Sequence, residues 1–264
     1  MMAVPLSEVG RNGRLSLTFS SQCGRTLIRD VYSEVPFKIT RVRNLEPLGI
    51  SHLILMHCTA GLFGGDILEC TVHVERGARV LITQQSSTKV HPSRERCAIQ
   101  RNQIRVEAGG ELHFHAEPII PFARSRLNQT TSIEVDHGGR LYFWESFMAG
   151  RIASGEVWQF EELASETRLR INGQLVYLDR FRIAPKQQSP TDEWMAGDAL
   201  YVGSALCVDE RAADVGLQLH QMMPAAGVDT VTSEVTAVRL AVPDGPTFHT
   251  SRAIFSDLTL TRGD

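Results

Sequence analysis

The sequence predicts a mainly β fold that closes with a small, late helical pair and a final strand. Three observations predict it. One pattern recurs through the middle of the chain: V-E-R-G-A-R-V-L-I at 74–82, V-E-A-G-G-E-L-H-F at 106–114 and V-D-H-G-G-R-L-Y-F at 135–143. Each copy is a strand, a glycine turn and a second strand. The copies start 32 and 29 residues apart, the period of stacked β units. A glycine turn between alternating runs equally suits a hairpin, so a coiled stack and a sandwich both satisfy the pattern. The second observation is strict alternation: Leu68, Cys70, Val72 and Val74 share one face of a strand, and Glu69, Thr71, His73 and Glu75 the other. The third is a change of pattern after Pro185.

Taken in order, residues 14–185 read as β, in one domain spanning 1–264. Within them, T-A-G-L-F-G-G-D at 59–66 joins two apolar strands through Gly61, Gly64 and Gly65. Gly64 and Gly65 allow a tight turn, and Asp66 follows it. The polar run T-Q-Q-S-S-T-K-V at 83–90 follows the apolar strand Val80–Ile82. Around Glu145, the residues Leu141, Phe143 and Phe147 project to its own side of a strand, with Tyr142, Trp144, Ser146 and Met148 on the other. Residues 190–224 read as helical. Asp192 is placed to cap a first helix through Met195 and Ala199. A second helix covers Asp209 to Met223, with Val215, Leu219 and Met222 on one face and Pro224 beyond its end. The spacing makes apolar residues such as Leu217 and Met222 core residues first and docking residues second. The segment 230–264 returns to strand, clearest from Val235 to Val242.

Composition narrows the function classes. With 42% hydrophobic and 22% charged residues, the 264-residue chain can bury a substantial core. Its net charge of -3 offers no electrostatic case for nucleic acid. No apolar run approaches the ~18 residues that span a membrane. Residues 1–14 carry Glu8, Arg11 and Arg14 and lack the apolar stretch of a signal peptide. The five cysteines form no C-x-x-C and read as free thiols of a reducing cytoplasm. Cys58 and Cys70 flank the glycine-rich turn, where packing as small hydrophobes is the simpler role. The phosphate-binding motifs G-K-[ST] and G-x-G-x-x-G and the nucleophile elbow G-x-S-x-G are absent.

Two constellations carry chemistry. Glu145 lies among large apolar side chains, where an unpaired carboxylate costs several kcal/mol and must be neutralised, paired or metal-bound. An ion pair with Arg151 or another arginine is the structural solution, and an oxygen-donor station in a polar passage is the functional one. In E-L-H-F-H-A-E, the side chains of Glu111, His113, His115 and Glu117 fall on one strand face. That arrangement suits a cupin-like metalloenzyme built on His113 and His115. A β-helical carbohydrate-active enzyme with paired carboxylates is the other enzymatic alternative.

Four blocks occur in order: T-A-G-L-F-G-G-D, T-Q-Q-S-S-T-K-V, E-P-I-I-P-F-A at 117–123 and W-E-S-F-M-A-G-R-I-A-S-G-E at 144–156. Together they resemble the urease accessory protein UreD (UreH) family over about residues 14–185. The resemblance implies a helically wound, solenoid-like array of strands with a small helical part. It also implies a non-enzymatic maturation factor that binds urease apoprotein with UreF-like and UreG-like partners and delivers Ni²⁺ that it does not hold stably. Asp66 matches the end of the family's G-G-D motif. On this reading Asp66 and Glu145 are stations of a transient nickel conduit, Asp179 and Glu69 come behind them, and Lys89, His91 and Arg151 fall to a partner surface.

Overall fold

The computed structural model describes residues 12–93, 95–192, 196–222, 227–232, 235–244 and Arg252. The first strands are β1 (Asn12–Gln22), β2 (Arg25–Ser33), β3 (Phe37–Ile39), β4 (Arg43–Leu45) and β5 (Ile50–His57). The middle of the chain gives β6 (Ile67–Val74), β7 (Arg79–Gln84), β8 (Thr88–Val90), β9 (Ala98–Val106) and β10 (Glu111–His115). There follow β11 (Ile119–Pro121), β12 (Arg126–Val135), β13 (Arg140–Met148), β14 (Glu162–Ile171) and β15 (Gln174–Ile183). The end is β16 (Tyr201–Val208), α1 (Ala212–Met222), β17 (Gly227–Thr232) and β18 (Val235–Val242).

These strands form two sheets. The first runs β15-β14-β12-β9-β6-β1-β2 and the second β17-β18-β16-β13-β10-β7-β5-β3. Successive long strands from β5 to β14 alternate between the sheets, and their neighbours within each sheet pair in parallel. Parallel neighbours cannot be joined by a hairpin, so the recurring glycine pattern is a coiled stack and not a sandwich of hairpins. Antiparallel strands finish both sheets: β2 and β15 on the first, β3 and the β16–β18–β17 group on the second.

The echoed segments are corners where the chain crosses from the first sheet to the second. There Gly77 N–H donates to the carbonyl of Gly109 at 3.1 Å, and Gly109 N–H to that of Gly138 at 2.9 Å. All three glycines have φ between +75° and +79°, which explains their recurrence at one place in each coil. Beside the corners, Val74, Val106 and Val135 stand in register and are fully buried. On the facing sheet, Val80, Leu112, Leu141 and Val208 form the buried rung next to the corners. Each such side chain contributes roughly 1.5–3 kcal/mol on burial.

The outer face of the second sheet is covered by α1. Val215 and Leu219 pack with Tyr142 and Trp144, as the helical spacing predicts. Asp209 Oδ1 accepts from Arg211 N–H at 2.8 Å at the start of the helix. Two expectations need correction. Leu217 is not a core residue but is 62% exposed. Among the described residues there is one α-helix rather than a pair. Ala196–Asp198 form a turn with Gly197 at φ +52°, which ends any helix there, and 193–195 lie outside the described residues. The predicted strand Val235–Val242 is β18. Of 245–264 only Arg252 is described.

Candidate functional site

The four sequence blocks lie at the opposite edge of the stack from the glycine corners. Each contains or borders a connection that returns the chain from the second sheet to the first: β5 to β6, β7 to β9, β10 to β12 and β13 to β14. Successive connections therefore lie on one another. Leu62 bridges Val90 in parallel, and Val90 pairs with Pro121 of β11. Gly61 permits this contact, because a Cβ there would sit 2.3 Å from the Lys89 carbonyl that Leu62 N–H needs. A side chain on Gly64 would strike Ser93 and the carbonyl of Arg96.

One side chain from each connection joins a ladder along this edge. Phe63 stacks on His91 with centroids 4.3 Å apart and rings 5° from parallel. His91 meets Phe122 edge-on at 4.9 Å, and the Arg151 guanidinium lies 4.4 Å over the Phe122 ring. Arg151 is ion-paired to Glu156, whose carboxyl is held down to about 2 chiefly by that hydrogen bond and by Ala123 N–H. The residues expected at a partner surface are thus gathered on one edge: His91 and Arg151 in the ladder, with Lys89 exposed on β8 beside them. Phe63 and Phe122, which join them, escaped the sequence reading.

Between the sheets, close to these connections, the core turns polar. In register across β6, β9, β12, β14 and β15 stand Cys70, Asn102, Thr131, Thr167 and Asp179. The adjacent inward rung is Leu68, Gln100, Gln129, Ser165 and Phe181. Apolar rungs enclose both: Val72, Ile104, Ile133 and Leu169 on one side, Ala98, Leu127 and Leu163 on the other. A lane of amides and hydroxyls therefore runs across the strands, from coil to coil, inside hydrocarbon walls. Asn102 donates to Thr131 at 3.2 Å within it.

Glu145 enters this lane from the facing sheet. Its Oε1 accepts from Thr167 Oγ1 at 2.7 Å and its Oε2 from Gln129 Nε2 at 2.9 Å. The predicted ion pair with Arg151 is absent because Arg151 stands on the outer ladder, bound to Glu156. Neutral donors do not offset the cost of enclosing a charge. Burial pushes the Glu145 carboxyl up to about 7, and the charge of Asp179 adds to the rise. Two small cavities meet at Glu145, Gln129, Ile119 and Ser146, of about 30 and 20 Å³. Each has space for one or two water-sized groups. Both spaces are far below the ~300 Å³ at which small-molecule pockets begin.

The other predicted stations separate. Asp179 lies on the lane rung opposite Thr167 and pairs with Arg239. Asp66 is buried, but in the connection: its Oδ2 accepts from Phe63 N–H at 2.8 Å, closing the turn of Gly64 and Gly65, and it borders neither cavity. Glu69 faces outward, between Arg101 at 3.1 Å and Arg14 at 3.4 Å, as the alternation of β6 requires. The structure thus brings together Glu145 and Asp179 and leaves Asp66 and Glu69 outside the lane.

The cupin-like constellation is not assembled. Glu111 and His113 lie on the outer face of β10, with the His113 ring stacked 4.4 Å from that of Tyr142. The Glu111 carboxylate is taken by Arg79 (3.1 Å), Arg140 (2.8 Å) and His113 Nε2 (2.9 Å). Burial opposes its ionisation, but the hydrogen bonds of His113 and Arg79 outweigh it and hold the carboxyl far below the usual range. Glu117 leaves that face, borders the larger inner cavity and pairs with Arg252 at 2.8 Å. Burial, with the charges of His113 and Arg252, lowers His115 to about 3. Among the described residues, the one trio of His, Cys, Asp or Glu spaced for a metal is His73, Glu75 and Glu107, where Arg29 already occupies Glu75.

Comparison with known proteins identifies the family. Residues 11–262 match the family model described as UreD urease accessory protein. A urease accessory protein UreD of Acetivibrio thermocellus is 31% identical over 183 residues, 69% of this chain and 70% of that protein. One from Deinococcus radiodurans is 33% identical over 210 residues, 74% of this chain and 75% of its own. A urease accessory protein UreH of Helicobacter hepaticus is 30% identical over 166 residues, 63% of this chain and 65% of its own.

Proposed function

The chain belongs to the UreD family of urease accessory proteins, and from that premise we propose that it conducts Ni²⁺ along its polar lane toward urease apoprotein. Membership supports a role in urease maturation. The finer reading is a scaffold that catalyses no reaction of its own. It binds the apoprotein together with UreF-like and UreG-like partners in the cytoplasm. Five free cysteines suit a reducing compartment, and no helix among the described residues is long and apolar enough to cross a membrane.

The lane is the observation that carries the proposal. Asn102, Thr131, Gln129, Thr167 and Ser165 put polar side chains where every neighbouring rung is apolar, a costly arrangement for a core that serves stability alone. Amide and hydroxyl oxygens are weak ligands for a divalent cation, and ion passage needs stations that release as readily as they bind. Glu145 supplies a carboxylate that changes charge near neutral pH. A proton leaving as the cation arrives keeps the enclosed charge small. Asp179 and Glu145 act as stations within the lane. For Asp66 the turn it closes supports a shaping role in the connection.

The test is expression of a urease operon with and without this gene. Urease activity and bound nickel are measured, and the chain is recovered with urease and the partner proteins. Loss of activity and nickel on deletion is expected; full activity and nickel without the gene overturns the maturation role in that system.

A further inference from the structure

The lane contains a nitrogen donor that no sequence motif marks. His57 ends β5, and its ring meets Phe37 edge-on at 5.0 Å, facing the space between the sheets. Its Nε2 is buried and has no hydrogen-bond partner among the described residues. The same is true of Gln100 Oε1, on the lane rung of the first sheet. Both residues line the larger inner cavity, together with Glu145, Glu117, Asn102 and Cys70. Ser146 Oγ, from a third residue lining this cavity, is likewise buried without a partner among the described residues. Buried polar atoms are ordinarily satisfied, and three such atoms on one cavity call for a ligand.

From this placement we infer that His57 and Gln100 form a cation station at the β5 end of the lane, with imidazole nitrogen and amide oxygen as donors. Imidazole is the ligand type that separates borderline ions such as Ni²⁺, Co²⁺ and Zn²⁺ from Mg²⁺ and Ca²⁺, which prefer oxygen. An all-oxygen lane would not discriminate them. Burial lowers the His57 pKa, so the ring stays neutral at physiological pH and keeps its lone pair for the ion. Two neutral donors and water bind weakly, which suits an ion that must move on. The buried Cys70 thiol lines the same cavity. Burial alone pushes it up to about 12, so it remains a packing group at neutral pH rather than a thiolate ligand.

The inference rests on the conduit reading for its role but not for its measurement. The full-length chain, purified with its co-expressed partners, is loaded with Ni²⁺ alone. X-ray absorption then reports imidazole scattering around the metal in the wild type, His57→Gln, His57→Ala and His73→Ala. Loss of that signature in both His57 variants, with circular dichroism unchanged, and its retention in His73→Ala are expected. Mg²⁺ at tenfold excess should displace nickel from the His57 variants more readily than from the wild type. An imidazole signature that persists in both His57 variants, or that is lost in His73→Ala instead, overturns the station. Urease nickel content with Glu145→Gln separates the two claims. If Glu145→Gln loads urease fully while the His57 variants lose their signature, the conduit falls and the station stands. If Glu145→Gln blocks loading while the His57 signature is unmoved, the station falls and the conduit stands.

Discussion

Thr167 of one sheet donates to Glu145 of the other across 2.7 Å, and this bond ties the two walls of the polar lane together. Thr167 also stands directly opposite Asp179 in the neighbouring ladder, so a second carboxylate faces the same space. Burial and that second charge both favour the protonated form of Glu145. The protein thus holds, inside its polar lane, a carboxyl raised to about 7.

Stability should record this carboxyl. Its folded pKa, about 7, lies above the ordinary 4.5, so its contribution is fully present below about 4.5 and lost as pH rises through 7. The loss amounts to roughly 3 kcal/mol. Glu145→Gln removes the ionisation while keeping an acceptor for Thr167. The variant should match the wild type at pH 5 and melt higher at pH 8.5. Thermal melts across that range check it; a stability difference independent of pH contradicts the assignment.

Gly61 should tolerate no side chain. Its φ is +137°, and an added Cβ would sit 2.3 Å from the Lys89 carbonyl. Gly61→Ala is expected to destabilise by about 2–3 kcal/mol and to loosen the connection that carries Phe63. Denaturant midpoints and exchange of the Leu62 amide would show both effects.

The edge ladder should serve recognition more than folding. Phe63 is 46% exposed, and Phe63→Ala should cost within about 0.5 kcal/mol of stability, as surface changes usually do. Phe63→Ala and Arg151→Ala should each lower recovery of the UreF-like or urease partner in co-purification by severalfold. Undiminished recovery with both would place the partner surface elsewhere.

Much of this fold was legible because its signals are local. The glycine echo marks corners that need positive φ, and the alternation of β6 placed Glu69 and Leu68 on opposite faces. That same alternation already argued against Glu69 as a lane residue. Asp66 was harder to place, because a carboxylate after two glycines looks the same whether it closes a turn or meets an ion. The bond from Phe63 N–H shows that it closes the turn. The lane itself had a readable trace. Two inward positions turn polar between apolar ones in A-I-Q-R-N-Q-I, L-N-Q-T-T-S-I and L-A-S-E-T-R-L. Each strand alone looks like a flawed amphipathic pattern; only the register between coils aligns the flaws. The first helix of the predicted pair failed for a nearby reason, since Gly197 favours a left-handed turn that apolar spacing does not report.

The most direct test fills the lane with hydrocarbon. Asn102 and Thr131 hydrogen-bond to one another, so Asn102→Leu with Thr131→Val removes both partners and leaves neither orphaned. This double variant, expressed with the urease operon, should fold, enter the complex and melt near the wild type. The quantity to measure is nickel per urease protomer after maturation. Conduction along the lane predicts a severalfold drop with the complex intact; wild-type nickel content through a lane closed in this way would contradict it.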